Sequence, residues 1–324
     1  MYPLKFENLY YKKIWGGERL KRFRDNVPEG KIGESWDVAC HRNGISVVSN
    51  GEFKGIRLDQ LIDIYGEKLL GSKISKERFP LLVKILDSND KLSVQVHPDD
   101  KYALTNEGEV GKTETWYIMD AQEGASIILG TKNCTKEEFK EAIENDNIDE
   151  YLNVIQVRKG DVYYIKPGLI HSLGPGITAI EIQQNSDITY RVYDYNRGRE
   201  VHIEKAFQVM DFRIEGKKSR GIKIESENYD KTYYCLNPHF VLELYDIRKN
   251  LLGASDKERF HIYTCVEGEG TIIYNNGEEK LSLGDSIFIP ASLGRYQISG
   301  SLKLLKFYVP CVPKVEKEIL EHIR

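Results

Sequence analysis

Short runs of alternating apolar and polar residues, cut by glycine and proline, fill most of this 324-residue chain. Alternation with period two places one set of side chains on each face of a strand, and closely spaced turn residues suit sandwiches and barrels. From about Lys231 onward the text is almost purely of this kind. Val266-Glu267-Gly268-Glu269-Gly270 leads into Thr271-Ile272-Ile273-Tyr274, and Asn275-Asn276-Gly277 offers positive-φ residues for a tight hairpin. Helical periodicity is confined to three places. Leu58 to Leu70 aligns Leu58, Leu61, Ile62 and Tyr65 on one face. Thr135-Lys136-Glu137-Glu138 is a capping box opening a helix toward Leu152. Val315 to Arg324 reads as a terminal helix.

One internal similarity bears on architecture. Gly160-Asp161-Val162-Tyr163-Tyr164-Ile165-Lys166-Pro167 matches Gly284-Asp285-Ser286-Ile287-Phe288-Ile289-Pro290 with one residue of slippage. Each reads as a Gly-Asp turn entering a strand that ends at proline. His171 stands four residues after the first proline, and Gly294 four after the second. Glycine has no side chain to offer an ion.

Composition narrows the class. Forty-six basic residues against 50 acidic ones give a net charge of −4, without the basic excess of a nucleic-acid protein. No apolar run reaches the roughly 18 residues needed to cross a bilayer, and the N-terminus lacks the pattern of a signal peptide. The five cysteines (Cys40, Cys134, Cys235, Cys265, Cys311) are scattered and form no CxxC pair, which argues against a disulfide framework or a cysteine zinc site. The expectation is a soluble cytoplasmic globular protein, with neither nucleic acid nor membrane as partner.

Candidate chemistry gathers in Gln95-Val96-His97-Pro98, Glu114 and His171. Gln95 and His97 are two apart, so on a strand both face one way. Two imidazoles, a carboxylate and an amide oxygen suit zinc or a similar divalent ion. Lys112 and Glu114 are also two apart, and read either as a solvated ion pair or as a metal carboxylate with a substrate lysine beside it. Lys84 interrupts the apolar run Pro80 to Leu86; it is either a strand-edge lysine reaching solvent or a site residue. Asp187 and Arg191 read either as a structural ion pair or as site residues.

Four blocks carry a resemblance: Leu92 to Asp100, Gly111 to Tyr117, Lys166 to Leu173, and Ala179 to Arg191. In order and spacing they resemble the type I mannose-6-phosphate isomerases, most closely the shorter bacterial form, from about Trp15 to Arg191 and more weakly to the C-terminus. The resemblance implies a mainly β fold of two cupin-like jelly-roll barrels with a few helical insertions. A metal-binding catalytic domain would span 1–225, and a C-terminal cupin-like domain without metal 226–324. It implies one zinc ion (Zn2+) per chain on Gln95, His97, Glu114 and His171, and a sugar phosphate as substrate. Lys84, Ser93 and Asp187 would line the substrate cleft, and Arg191 would stabilise the enediolate or position the substrate. The proton-transferring base is left among Glu181, Lys112, Asp187 and water on the ion, with Glu181 favoured because a carboxylate is a competent base at neutral pH. Many long members have His-Lys-Pro-Glu where this chain has Gly111-Lys112-Thr113-Glu114, so a mechanism needing that histidine does not apply. Two rivals stay open: another cupin sugar-phosphate isomerase or metal oxidase, and a carbohydrate-sensing cupin without turnover.

Overall fold

The alternating text becomes strand throughout a computed structural model that describes residues 1–323. Strands β1 (Leu9–Gly17) and β2 (Ile32–Val38) precede a minimal ladder, β3 (Cys40–His41) with β4 (Gly44–Ile45), and helices α1 (Leu58–Tyr65) and α2 (Glu67–Leu70). Next come β5 (Leu81–Ser88), β6 (Val94–Val96), α3 (Asp100–Asn106), β7 (Glu114–Ala121), β8 (Ser126–Thr131) and α4 (Lys136–Glu144). β9 (Leu152–Gln156), β10 (Val162–Ile165), β11 (His171–Leu173), β12 (Ile177–Gln184), β13 (Tyr190–Tyr193) and α5 (Ile203–Val209) follow. Then come β14 (Ile222–Glu225), β15 (Tyr229–Leu236), β16 (Val241–Ile247) and β17 (Asn250–Ala254). The chain closes with β18 (His261–Tyr274), β19 (Gly277–Ser282), β20 (Ser286–Ile289), β21 (Arg295–Tyr308) and α6 (Val312–Ile323). Among the described residues no helix is long and apolar enough to cross a membrane.

Two compact units are present. One comprises residues 10–35 and 84–219; the other comprises 1–9, 36–83 and everything from Arg220 onward. The division at 219/220 falls in the polar stretch from Glu215 to Asp230. A single cut after residue 225 nevertheless differs from what is seen, because N-terminal segments complete the second unit. Leu4 and Phe288 exchange backbone hydrogen bonds, each 2.8 Å. Phe79 stacks on Phe260, which stacks on Phe288, at centroid distances of 5.1 and 4.7 Å. Buried aromatic area of that kind outweighs sequence proximity.

The first unit is built on a six-stranded sheet, ordered β1-β2-β5-β12-β7-β10, and a five-stranded sheet, ordered β13-β6-β11-β8-β9. Its core draws on both: Trp15, Leu86, Trp116, Ile118, Ile127, Leu129, Tyr163 and Leu173 form one buried cluster. The outer face of the five-stranded sheet is covered by α4 and α5, with Val94, Val96, Phe139, Tyr190, Val192 and Phe207 in a second cluster. The other unit centres on an eight-stranded sheet, β14-β15-β16-β21-β18-β19, with β17 on β21 and β20 on β18.

The internal similarity is realised in geometry. Gly160 and Gly284 have φ of 89° and 85°. Gly160 N–H donates to Ile118 O and Gly284 N–H to Cys265 O, both at 2.8 Å. Asp161 Oδ2 accepts from Arg158 N–H and Asp285 Oδ2 from Ser282 N–H, both at 3.0 Å. The register then equates individual residues: Ile165 faces Glu114 across β10 and β7, and Ile289 faces His261 across β20 and β18. His261 thus holds in the second unit the position that Glu114 holds in the first. By the same rule Lys306, opposite Tyr263, matches Glu181, opposite Trp116.

Several local expectations need adjustment. The helix from Leu58 is broken at Gly66, whose φ of 44° and ψ of −116° end α1 before α2 begins. The capping box at Thr135 forms with both halves present, but α4 stops at Glu144; Asp146 turns the chain with φ 58°. The hairpin at Asn275-Asn276 forms with Tyr274 opposite Gly277, yet neither asparagine nor Gly277 takes positive φ. The terminal helix starts at Val312, ahead of the expected Val315; the expectation for Arg324 lies outside the described residues.

Candidate active site and metal centre

Alternation along β6 decides which side chains meet. Val94 and Val96 are buried in the cluster under α4 and α5, so Ser93, Gln95 and His97 face the other way. Gln95 pairs with His171 of β11 on one side and Arg191 of β13 on the other. Register thus assembles Arg191, Gln95 and His171 in one row across three strands. The facing sheet contributes Lys84 from β5, Glu114 at the start of β7, and Glu181 from β12, with Lys112 just before β7.

Three of these side chains converge. His97 Nε2 lies 3.1 Å from His171 Nε2. Glu114 Oε2 is 3.4 Å from His97 Nε2, and Oε1 is 3.3 Å from His171 Nε2. All three residues are buried. His97 Nδ1 is 2.9 Å from Ile188 O, and His171 Nδ1 is 2.9 Å from Leu169 O. A carbonyl accepts only, so Nδ1 carries the proton in each ring and both Nε2 lone pairs point inward. Burial drives the His97 pKa down to about 3, helped by Lys112 and opposed by Glu114; burial likewise lowers that of His171. Both imidazoles are therefore neutral and able to ligate. Burial would raise the Glu114 pKa, but Lys112 and His97 hold it well below the usual carboxylate range.

Two facing lone pairs and a buried carboxylate repel one another unless a cation lies between them. Neither Glu114 oxygen accepts a well-formed hydrogen bond, although Lys112 Nζ is 2.9 Å from Oε2. Donors about 2.1 Å from a tetrahedral zinc stand about 3.3 to 3.4 Å apart, close to the separations seen. His97, Glu114 and His171 together form a metal-capable cluster. Gln95 is its neighbour: Nε2 lies 3.3 Å from His171 Nε2, and a half-turn of the amide presents the oxygen instead. Ser93 Oγ donates to Gln95 Oε1 at 3.4 Å. The residues present fit a divalent ion.

Beside the cluster opens a cleft of about 270 Å3. Lys84, Ser93, Gln95, Lys112, Glu181, Asp187 and Arg191 all line it. Glu181 Oε2 accepts the Trp116 indole N–H at 3.0 Å, while Oε1 lies 3.4 Å from Lys84 Nζ and 3.8 Å from Lys112 Nζ. Burial, then Glu114, pushes the Glu181 pKa up, with both lysines pulling the other way. Burial would lower the Lys112 pKa, but Glu114 and Glu181 outweigh it and raise it.

The structure decides between the alternatives that the sequence leaves open. Lys84 does not reach solvent; it is buried among Glu181, Glu34 and Asp187, at 3.4, 3.9 and 3.9 Å. The Lys112–Glu114 pair forms but is buried rather than solvated. Asp187 does not pair with Arg191: its Oδ1 faces Lys84, while Arg191 Nη1 donates to Glu200 O and its buried Nε has no partner. Lys13, Trp15, Glu34, Thr189 and Arg199 also line the cleft and do not stand out in the sequence. Lys13 and Trp15 sit two apart on β1, but their strand carries no chemical motif. The spacing of Arg199 with Arg197 and Asp194 is the one signal that could have singled it out; Glu34 left none.

A two-histidine, one-carboxylate cluster at the edge of a charged cleft, between β-sheets, defines a class: cupin-type proteins with a metal-capable site acting on small polar ligands. Comparison with known proteins gives the family. The model for phosphomannose isomerase type I, catalytic domain, matches residues 3–142, and that for the mannose-6-phosphate isomerase cupin domain matches residues 230–309. Mannose-6-phosphate isomerase from Streptococcus mutans is 38% identical over 312 residues, covering 94% of this chain and 97% of that protein. The crystal structure of mannose 6-phosphate isomerase from Bacillus subtilis superposes with a TM-score of 0.88 at 34% identity, covering 94% of this chain and 99% of the other. Phosphomannose isomerase from Salmonella typhimurium, at 16% identity and a TM-score of 0.76, shares the fold. The chain belongs to the type I phosphomannose isomerase family.

Proposed function

We propose that the protein interconverts mannose 6-phosphate and fructose 6-phosphate through an enediol, with one zinc ion held by Gln95, His97, Glu114 and His171. The observation that carries this reading is the convergence of two inward Nε2 lone pairs and an unsatisfied buried carboxylate at a cleft that also holds a buried carboxyl between two lysines. The ion would supply Lewis-acid stabilisation of negative charge on the sugar oxygens.

The chain's own residues account for the proton chemistry. An aldose–ketose isomerase removes a proton beside a carbonyl and returns it to the adjacent carbon. Glu181 suits this role because Trp116 fixes Oε2 and leaves Oε1 toward the cleft lysines. Its raised pKa brings the carboxyl nearer the working pH, where a base both takes and gives back a proton efficiently. Lys84 and Lys112 oppose charge building on sugar oxygens and on Glu181 itself, and Asp187 holds Lys84 from the other side. The anionic end of the substrate needs a cation with donors that carboxylates have not already filled. Lys84 faces three carboxylates, whereas Arg191 and Arg199 line the cleft as guanidiniums suited to a phosphate, Arg199 meeting Asp194 through Nε and Nη2 and leaving Nη1 free among the described residues. Ser93, Thr189 and Lys13 complete the polar wall.

The test is turnover of mannose 6-phosphate in a coupled assay, run as purified, after chelation, and after adding zinc back. Loss on chelation with recovery on zinc supports both the reaction and the ion. Absence of turnover in the metal-replete protein defeats the reading, and turnover of glucose 6-phosphate alone transfers it to another sugar-phosphate isomerisation.

A further inference from the structure

Only three non-glycine residues among those described have positive φ: Asp146 at 58°, Tyr195 at 53° and Asn196 at 55°. Such backbone is sparsely populated, most of all for a bulky residue such as tyrosine, and must be held by its surroundings. All three belong to one bonded cluster. Asn196 Nδ2 donates to Asp146 Oδ2 at 3.1 Å, and the Tyr193 hydroxyl donates to Asp146 Oδ1. Tyr195 and Asn196 are the central residues of a turn closed by Arg197 N–H donating to Asp194 O at 3.2 Å. The Tyr195 ring is covered by Lys91 Nζ at 4.8 Å and by the Arg197 guanidinium at 5.3 Å, with Tyr193 edge-on at 5.0 Å.

The turn leads directly to the cleft. Asp194 is buried, and its carboxylate binds Arg197 Nη2 at 3.0 Å and Arg199 through both Nε and Nη2. Burial would raise the Asp194 pKa, but the two guanidiniums outweigh it and lower it. Arg197 is spent on bracing: Nη1 donates to Lys91 O at 2.6 Å and Nε to Asp194 O. Arg199 alone of the pair lines the cleft, together with Arg191, and its Nη1 has no protein partner among the described residues. The strained backbone thus ends in a guanidinium fixed along one edge and free along the other.

We propose that the Asp194–Arg197 turn, cross-braced by Asp146, is a positioning device that presents Arg199 to the phosphate of the substrate. Asp146, Asp194, Tyr195 and Asn196 are positioning residues that need not touch the sugar. The inference rests on the reading that Arg191 and Arg199 receive a sugar phosphate. A preformed anchor lowers the ordering cost of binding, so loosening the turn raises KM and leaves kcat nearly unchanged.

The experiment uses the full-length, metal-loaded chain and four variants: R199Q, D146A, D146N and N196G. Steady-state kinetics with mannose 6-phosphate are paired with calorimetric binding of inorganic phosphate, which does not depend on turnover. R199Q and D146A are expected to raise KM and weaken phosphate binding about tenfold, with kcat within about twofold of the parent. D146N, which keeps one acceptor oxygen and replaces the other with an NH2 that a half-turn of the Asn196 amide can meet, recovers most of the loss. N196G, which suits the positive φ but removes the brace, gives a smaller shift in the same direction and serves if D146A does not fold. Parental KM and phosphate affinity in D146A and N196G, beside a weakened R199Q, would show that the turn does not position the anchor. An unaffected R199Q overturns Arg199 itself, and a fall in kcat at constant KM overturns the positioning role. If the parent binds phosphate through Arg199 but does not isomerise mannose 6-phosphate, the substrate reading fails while the device stands.

Discussion

Glu114→Ala separates a metal centre from a buried hydrogen-bonded cluster. The carboxylate is fully buried, 2.9 Å from Lys112 Nζ and 3.3 and 3.4 Å from the two imidazoles. Removing it leaves the buried Lys112 with Glu181, at 3.8 Å, and Asp187 as its remaining counter-charges. Breaking a buried pair from one side costs about 3 to 5 kcal/mol, a large fraction of the roughly 5 to 15 kcal/mol that holds a typical protein folded. A bound ion adds its own term: at a free concentration about 1,000 times its Kd it stabilises by about 4 kcal/mol. Chelation should therefore lower the denaturation midpoint of the parent markedly and leave that of Glu114→Ala unmoved. Glu114→Gln, which keeps the volume, separates loss of charge from a cavity. Metal content by mass spectrometry and turnover on the same samples complete the assay. A Glu114→Ala protein that retains one tight equivalent, a chelator-sensitive midpoint and parental turnover would refute the assignment.

Three further outcomes are expected, beyond the kinetic test of the Asp194–Arg197 turn. The purified chain should hold one tightly bound divalent ion, because the second unit has His261 where the first has Glu114, and Gly294 where the first has His171; a second equivalent surviving Glu114→Ala in metal analysis contradicts this. Arg191→Ala should keep its metal and, as a phosphate-receiving guanidinium is lost, raise KM about tenfold with kcat little changed, with lysine a poor substitute because it lacks the planar fork; parental kinetics would make Arg191 structural. His261 is buried with Nδ1 unpaired, and burial, then Lys306, Arg259 and Lys231, holds its pKa well below 6.5. The unfolded chain thus binds a proton near pH 6.5 that the folded chain refuses, so this stabilising contribution is complete above that pH and lost as pH falls below it, by up to about 1.4 kcal/mol per pH unit. Urea midpoints of His261→Leu at about pH 7.5 and about pH 5 should differ less than those of the parent; equal slopes would show that His261 does not titrate on unfolding.

Much of the site was legible because strand periodicity is local. Gln95 and His97 had to share a face once Val94 and Val96 took the core, and Glu114 with Lys112 followed the same rule. The Gly-Asp turns at Gly160 and Gly284 were equally readable, since a positive φ before a side-chain cap is a property of a few adjacent residues. Register was not readable. That Arg191, Gln95 and His171 form one row, or that His261 replaces Glu114, depends on which strands pair and at what offset. Long-range packing was hidden too: Leu4 and Phe79 gave no sign that they complete a core around Phe260 and Phe288.

The chain by itself determined most of the elements, the candidate donors and the absence of a second histidine at Gly294, because each depends on residue type and short spacing. Only the tertiary structure decided the states of those groups. Lys84 became a buried partner of three carboxylates, both imidazoles became neutral with inward Nε2 lone pairs, and Arg199 became a cleft-lining guanidinium held by Asp194. Burial and through-space charge set these states, and both arise from residues far apart in sequence that pairing of the strands brings within a few ångströms.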